Sequence, residues 1–209
     1  MAQSLYNRGY THHQQGDNAA AIADYTLVVE SYSADADPAI REWVAKALYA
    51  RGYAHALQGD EAAAITDFTL LVERYSADAD PVIRVLVASA LYNRGVDHRQ
   101  RGDLTAAIAD LTLVVESYSA DADPAIRAVV AKALVVRGVA HGQQGDHAAA
   151  IADYTLVVER YSADADPAMR VVGANALYGR GLTHHDKGDL TAAIADYTLV
   201  VERYSADAD

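Results

Sequence analysis

Five histidines recur at one fixed interval, His12, His55, His98, His141 and His184, and a ladder of imidazoles is the first pattern in this chain that could hold metal or relay protons. The interval of 43 residues places each on an equivalent helix, not on successive turns of one helix. Packed neighbouring helices lie roughly 8–10 Å apart, whereas zinc needs its ligand nitrogens at about 2.0–2.1 Å. No single ion bridges two such neighbours, so each histidine reads as a hydrogen-bonded structural residue on the side of its helix that faces the next. The adjacent pairs His12-His13 and His184-His185 point in different directions on a helix and make poor ligand pairs.

An arginine precedes each of these histidines by one helical turn: Arg8, Arg51, Arg94, Arg137 and Arg180. A guanidinium keeps its charge, and here it falls inside an otherwise apolar stripe. Two readings account for it. It pairs with the aspartate of the following helix (Asp24, Asp67, Asp110, Asp153 or Asp196), or it snorkels to solvent along its apolar stem. The aspartates Asp35 and Asp37, with their equivalents, invite a calcium-loop reading, but they supply too few oxygens, and helix capping already explains the second of them. No Ser-His-Asp, Cys-His or phosphate-cradling glycine motif is present. With no cysteine, thiol chemistry and disulfides are excluded. The residues point to a chain that is not an enzyme and carries no cofactor and no metal.

These columns exist because the whole chain repeats. Ser-Ala-Asp-Ala-Asp begins at Ser33, Ser76, Ser119, Ser162 and Ser205, and the only prolines, Pro38, Pro81, Pro124 and Pro167, open the unit that follows each of the first four copies. The chain divides into a shortened repeat, 1–37, and four full ones, 38–80, 81–123, 124–166 and 167–209, read together as one repeat domain. Asp37-Pro38 is a helix start, because the carboxylate caps free amides and proline at the first helical position lacks only a donor that would be unpaired. Ile40, Val44, Ala47, Leu48 and Gly52 then follow three-and-four spacing to a stop near Gln58-Gly59. Asp60 caps a second helix whose stripe reads Ala64, Ile65, Phe68, Leu71, Val72 and Tyr75, ending at Ser76. Each repeat is a helical hairpin, with no strand signal.

Leu48-Tyr49-Ala50-Arg51-Gly52, Gly59-Asp60 and Ala64-Ile65-Thr66-Asp67-Phe68, matched in all five repeats, resemble the tetratricopeptide repeat family, with extra turns at the start of the first helix. The resemblance implies an all-α fold: an α-solenoid of stacked helix-turn-helix repeats forming a right-handed superhelix. It also implies that the variable stripe of the first helices lines a concave groove for peptide. That stripe is Lys46, Tyr49, Ala50, Tyr53, Ala56 and Leu57 in one repeat and Ser89, Tyr92, Asn93, Val96, Arg99 and Gln100 in the next. The expected binding residues are Tyr6, Asn7, Tyr10, Lys46, Tyr49, Tyr53, Tyr92, Asn93, Arg99, Lys132 and Tyr178, with Gln14, Gln100, Gln143 and Asp186 beside them. The family's carboxylate-gripping groove is matched only by Asn7, Asn93, Lys46 and Lys132, so that specificity is not expected.

Composition sets the remaining expectations. A formal charge of -12 disfavours nucleic acid and anionic membrane, and no run approaches the length of a membrane span or a signal-peptide core, so the expected location is cytoplasmic. Two functional classes follow. One is a scaffold binding a protein or peptide ligand in the groove. The other is a structural, self-associating array or an idealised or excised repeat fragment without its own ligand, because near-identical repeats present near-identical, stackable faces.

Overall fold

The computed structural model describes residues 1–161 and 166–204, and these form ten α-helices with no strand among the described residues. First helices of the repeats are α1 (Ala2–Gln14), α3 (Pro38–Leu57), α5 (Pro81–Gln100), α7 (Pro124–Gln143) and α9 (Pro167–Asp186). Second helices are α2 (Asn18–Tyr32), α4 (Glu61–Tyr75), α6 (Leu104–Tyr118), α8 (His147–Tyr161) and α10 (Leu190–Tyr204). The chain forms two compact halves, residues 1–98 and 99–209. In the first, α1 packs on α2, α2 on α3 and α3 on α4, with α1 also beside α3. In the second, α6 packs on α7, α7 on α8, α8 on α9 and α9 on α10, with α7 beside α9. Serial packing of this kind is that of an α-solenoid.

Local chemistry explains the element boundaries. Asp37 Oδ1 accepts the Ala39 amide at 2.9 Å, and Asp123 and Asp166 cap α7 and α9 in the same way. The first aspartate of each turn is also committed to the backbone: Asp35 accepts the amide of Asp37 at 3.0 Å, Asp78 that of Asp80, and Asp121 that of Asp123. Arg41 adds an ion pair to Asp78 across its own repeat, which the sequence pattern did not announce. Of the turn copies that begin at Ser162 and Ser205, residues 162–165 and 205–209 lie outside the described residues. Inside each hairpin, Gly59 at φ +78° reverses the chain, a left-handed conformation that a side chain disfavours. Asp60 then caps α4 by accepting the Ala63 amide.

The hairpin is held by close approach of its two helices. A Cβ on Gly52 would stand 2.9 Å from the Phe68 ring and 3.2 Å from Asp67 Cβ; one on Gly138 would stand 2.8 Å from the Tyr154 ring. Around that contact Val44, Ala47, Leu48, Phe68 and Leu71 are fully or almost fully buried.

The arginine column completes the join. Arg51 donates from Nε to Asp67 Oδ2 at 2.9 Å and from Nη2 to Oδ1 at 2.6 Å, while its Nη1 donates to Thr26 Oγ1 of the preceding repeat at 3.0 Å. Arg137 holds Asp153 and Thr112, and Arg180 holds Asp196 and Thr155, at nearly identical distances. Arg94 donates to Thr69 in the same manner. Arg8 grips Asp24 at 2.8 and 2.5 Å, and these hydrogen bonds hold the Asp24 carboxyl below the usual range. Snorkelling is therefore wrong for Arg51, Arg137 and Arg180, whose side chains are only 13–16% exposed; that of Arg8 is 60% exposed. Removing one member of a buried pair leaves an uncompensated charge, so Asp67→Ala is expected to cost about 3–5 kcal/mol. Asp24→Ala should cost clearly less, because Arg8 already meets water. Urea midpoints of the two variants check this, and equal losses would contradict it.

Candidate binding face

Because α1 lies beside α3 and α7 beside α9, first helices line one face in each half. In the N-terminal half the Tyr6 ring lies between Tyr25 (5.6 Å) and Trp43 (5.3 Å), and Lys46 sits 4.5 Å over Trp43 while pairing with Glu42 at 2.5 Å. Tyr49 packs on Phe68 and accepts a hydrogen bond from Asn93 Nδ2 at 3.1 Å. Tyr53 meets His13 edge-on at 5.9 Å. Tyr6, Lys46, Tyr49 and Asn93 are thus occupied by neighbours within the fold. Tyr92 is half-buried, whereas Asn7, Tyr10 and Tyr53 stand exposed.

In the C-terminal half Lys132 is exposed on α7 and Tyr178 on α9. Between these helices a pocket of about 570 Å³ opens, walled by Val135 and Val139 from α7 and by Tyr178 and Leu182 from α9. Its lining includes the Tyr154 ring of α8, with the polar groups of Asn175, Gln143, Thr183 and Asp186. Two glycines make the space. Gly142 stands where other repeats carry His13, Ala56, Arg99 and His185, and Gly179 where they carry Asn7, Ala50, Asn93 and Val136. A Cβ on Gly179 would press on Tyr154 Cζ at 2.8 Å, whereas one on Gly142 would meet no atom within 4 Å. Burial pushes the Tyr154 hydroxyl up to about 12, the neighbouring Asp153 charge adding to that and Arg99 partly opposing it.

Sequence models of the tetratricopeptide repeat match residues 92–165 and 138–208, residues 2–35 and residues 46–77. The chain belongs to the tetratricopeptide repeat family. Among curated proteins none matches it. A solved tetratricopeptide repeat protein from Parabacteroides merdae superposes with a TM-score of 0.74 at 14% identity, over 99% of this chain and 68% of that one. The MamA protein superposes at 0.72 with 19% identity, over 99% of this chain and 93% of that one. A MamA fragment from Desulfovibrio magneticus gives 0.72 at 17% identity, over 100% and 97%. At these identities the likeness is one of fold. No helix among the described residues of this tetratricopeptide repeat chain is long and apolar enough to cross a membrane.

Two members of the histidine column, His12 and His141, depart from the expectation of a hydrogen-bonded imidazole. His12 Nε2 lies 4.0 Å from Asp24 Oδ2, beyond hydrogen-bonding distance, and His141 Nδ1 is buried with no partner among the described residues. At His12 that carboxylate is already held by Arg8, one turn earlier, whereas His184 Nδ1 lies 3.9 Å from Asp189 Oδ2. Tyr25, Trp43 and Tyr154 carry no sequence signal that sets them at the face, and neither do Gly142 and Gly179, whose role is to be small.

Asp97 is equally unannounced by the repeat pattern. This residue is 5% exposed on α5, its Oδ2 has no hydrogen-bond partner among the described residues, and other repeats place Thr11, Ala54, Ala140 and Thr183 there. Burial, helped by the charge of Glu61, raises its carboxyl to about 6. An acid whose folded value is raised destabilises the fold when ionised, and that cost is relieved as pH falls through about 6. Asp97→Ala, matching two of the other repeats, should therefore stabilise the chain at pH 7.5 by on the order of 1–3 kcal/mol. The gain should shrink at pH 5. Thermal melts at both pH values check this, and a gain independent of pH would contradict it.

Proposed function

We propose that this chain is a scaffold whose first-helix face binds extended segments of a protein or peptide ligand, with no catalytic role of its own. The tetratricopeptide repeat fold is in general that of a protein-interaction scaffold. The observation that carries the reading for this chain is the pocket between α7 and α9, which joins an apolar wall to amide groups that can grip main chain. Tyr10, Tyr53 and Tyr178, each 43–54% exposed, offer ring surface on the same set of helices. Tyr6, Tyr49, Lys46 and Asn93 shape the face through their neighbours, while Asn7, Tyr92, Arg99 and Lys132 supply polar edges. Selection of binders from a displayed peptide library tests this. Selected peptides should lose about tenfold or more in affinity to Tyr178→Ala or Tyr53→Ala, since an aromatic anchor commonly contributes 1–2 kcal/mol or more, with the helical circular dichroism unchanged. Binders indifferent to both substitutions would overturn the face.

One observation favours a second reading, self-association. Leu190, Ile194 and Val201 of α10 are 55–65% exposed, although Ile151 and Val158, the equivalents of the last two in the preceding repeat, are half-buried. The first helix of a second copy would cover that stripe as α9 covers α8. Sedimentation should then show a mass that rises with concentration and falls back to the monomer in Ile194→Glu. A strict monomer throughout would remove this reading.

A further inference from the structure

We propose that the pocket between α7 and α9 receives the side chain of a lysine or arginine from an extended peptide, with Asp186 as its counter-ion. The proposal rests on the scaffold reading above and gives one part of that face its chemical preference. Among the described residues Asp186 is the only charged side chain that lines the pocket, and its neighbour His185 stands 3.6 Å away on the exposed side of the helix. Arg99, whose charge is felt at Tyr154, does not line the space.

The rest of the lining suits a long cationic side chain. Val135, Val139 and Leu182 present hydrocarbon to an aliphatic stem, which is how lysine and arginine bury their carbons while the charged head stays near water. The Tyr178 ring, 54% exposed, offers its face to a guanidinium or ammonium. Asn175 and Asp186 are eleven positions apart on α9, roughly 16 Å at 1.5 Å per residue. The cavity is therefore long enough for the side chain and for the main chain that carries it. Asn175 and Gln143 provide amides that both donate and accept, the pairing an extended main chain requires. The formal charge of -12 draws basic segments toward the chain at long range and repels acidic ones.

Acetyl-Ala-Ala-X-Ala-Ala-amide peptides with X as lysine, arginine, norleucine or glutamate, titrated into the isotopically labelled chain and followed by NMR, test this. The lysine and arginine peptides should shift the signals of Asn175, Gln143 and Leu182. At about 50 mM salt they should bind roughly two- to fivefold tighter than norleucine, and the advantage should vanish near 0.5 M because Asp186 is exposed to screening. Asp186→Asn should bring lysine and norleucine to equal affinity. Gly142→Leu, built into open space within α7, should fill the pocket and abolish all binding there without lowering the melting temperature.

Norleucine or glutamate binding as tightly as lysine, or a lysine preference that survives Asp186→Asn, overturns the counter-ion assignment. The scaffold reading stands in that case, since the peptides still shift the same signals. Tighter binding by spermidine than by the lysine peptide overturns the commitment to a peptide. No shift on α7 or α9 with any probe overturns the pocket as a site, and the displayed-library selection then decides separately whether the face binds at all.

Discussion

One arginine per repeat holds this architecture to its form. Its guanidinium cannot shed its charge, and in the interior it must be met on several sides; Arg51, Arg137 and Arg180 each find a bidentate carboxylate in their own repeat and a threonine hydroxyl in the one before. The constraint spreads outward from there. The two helices of a hairpin nearly touch where the aspartate meets the arginine, with glycine following the arginine and an aromatic or leucine following the aspartate of the second helix. A substitution at any of these positions disturbs all of them. Because the threonine belongs to the neighbouring repeat, the same charge couples repeats to one another, and loss of one repeat leaves a buried guanidinium in the next with an incomplete set of acceptors.

That coupling explains where the chain is free to vary. Second helices are bound by the aspartate, the threonine and the packing stripe, and they are nearly identical from repeat to repeat. The outward stripe of the first helices carries none of these duties, so it alone can differentiate. The pocket between α7 and α9 arises there by subtraction, where two glycines stand in place of the side chains that other repeats carry and the Tyr154 ring forms part of the lining.

Most of the fold was legible in the sequence. Asp-Pro and Gly-Asp mark helix ends by mechanisms that act within a few residues, and helices α3 and α4 end where those signals place them. The Arg–Asp pairing was legible as one of two alternatives, because physical chemistry demands a partner for a buried cation but a sequence does not measure burial. The face was less legible. Tyr6, Tyr49 and Lys46 have the composition of binding residues, yet their rings and ammonium are engaged by Tyr25, Phe68, Trp43 and Glu42. Such contacts depend on the angle between helices, which no local signal sets. Asp97 was invisible for the same reason: one carboxylate among 29 acidic residues becomes unusual only once a neighbouring helix has closed over it.

The Tyr6, Trp43 and Lys46 stack has an optical meaning. Trp43 is the chain's single indole, set in the N-terminal half against a phenol ring and beneath an ammonium, whereas 14 tyrosines are spread along both halves. Emission excited at the red edge of the absorption band therefore reports on one half alone, and tyrosine emission on the whole. The protein carries its own two-channel fluorophore set, able to distinguish loss of order that starts in residues 1–98 from loss that starts in residues 99–209, without any label being attached.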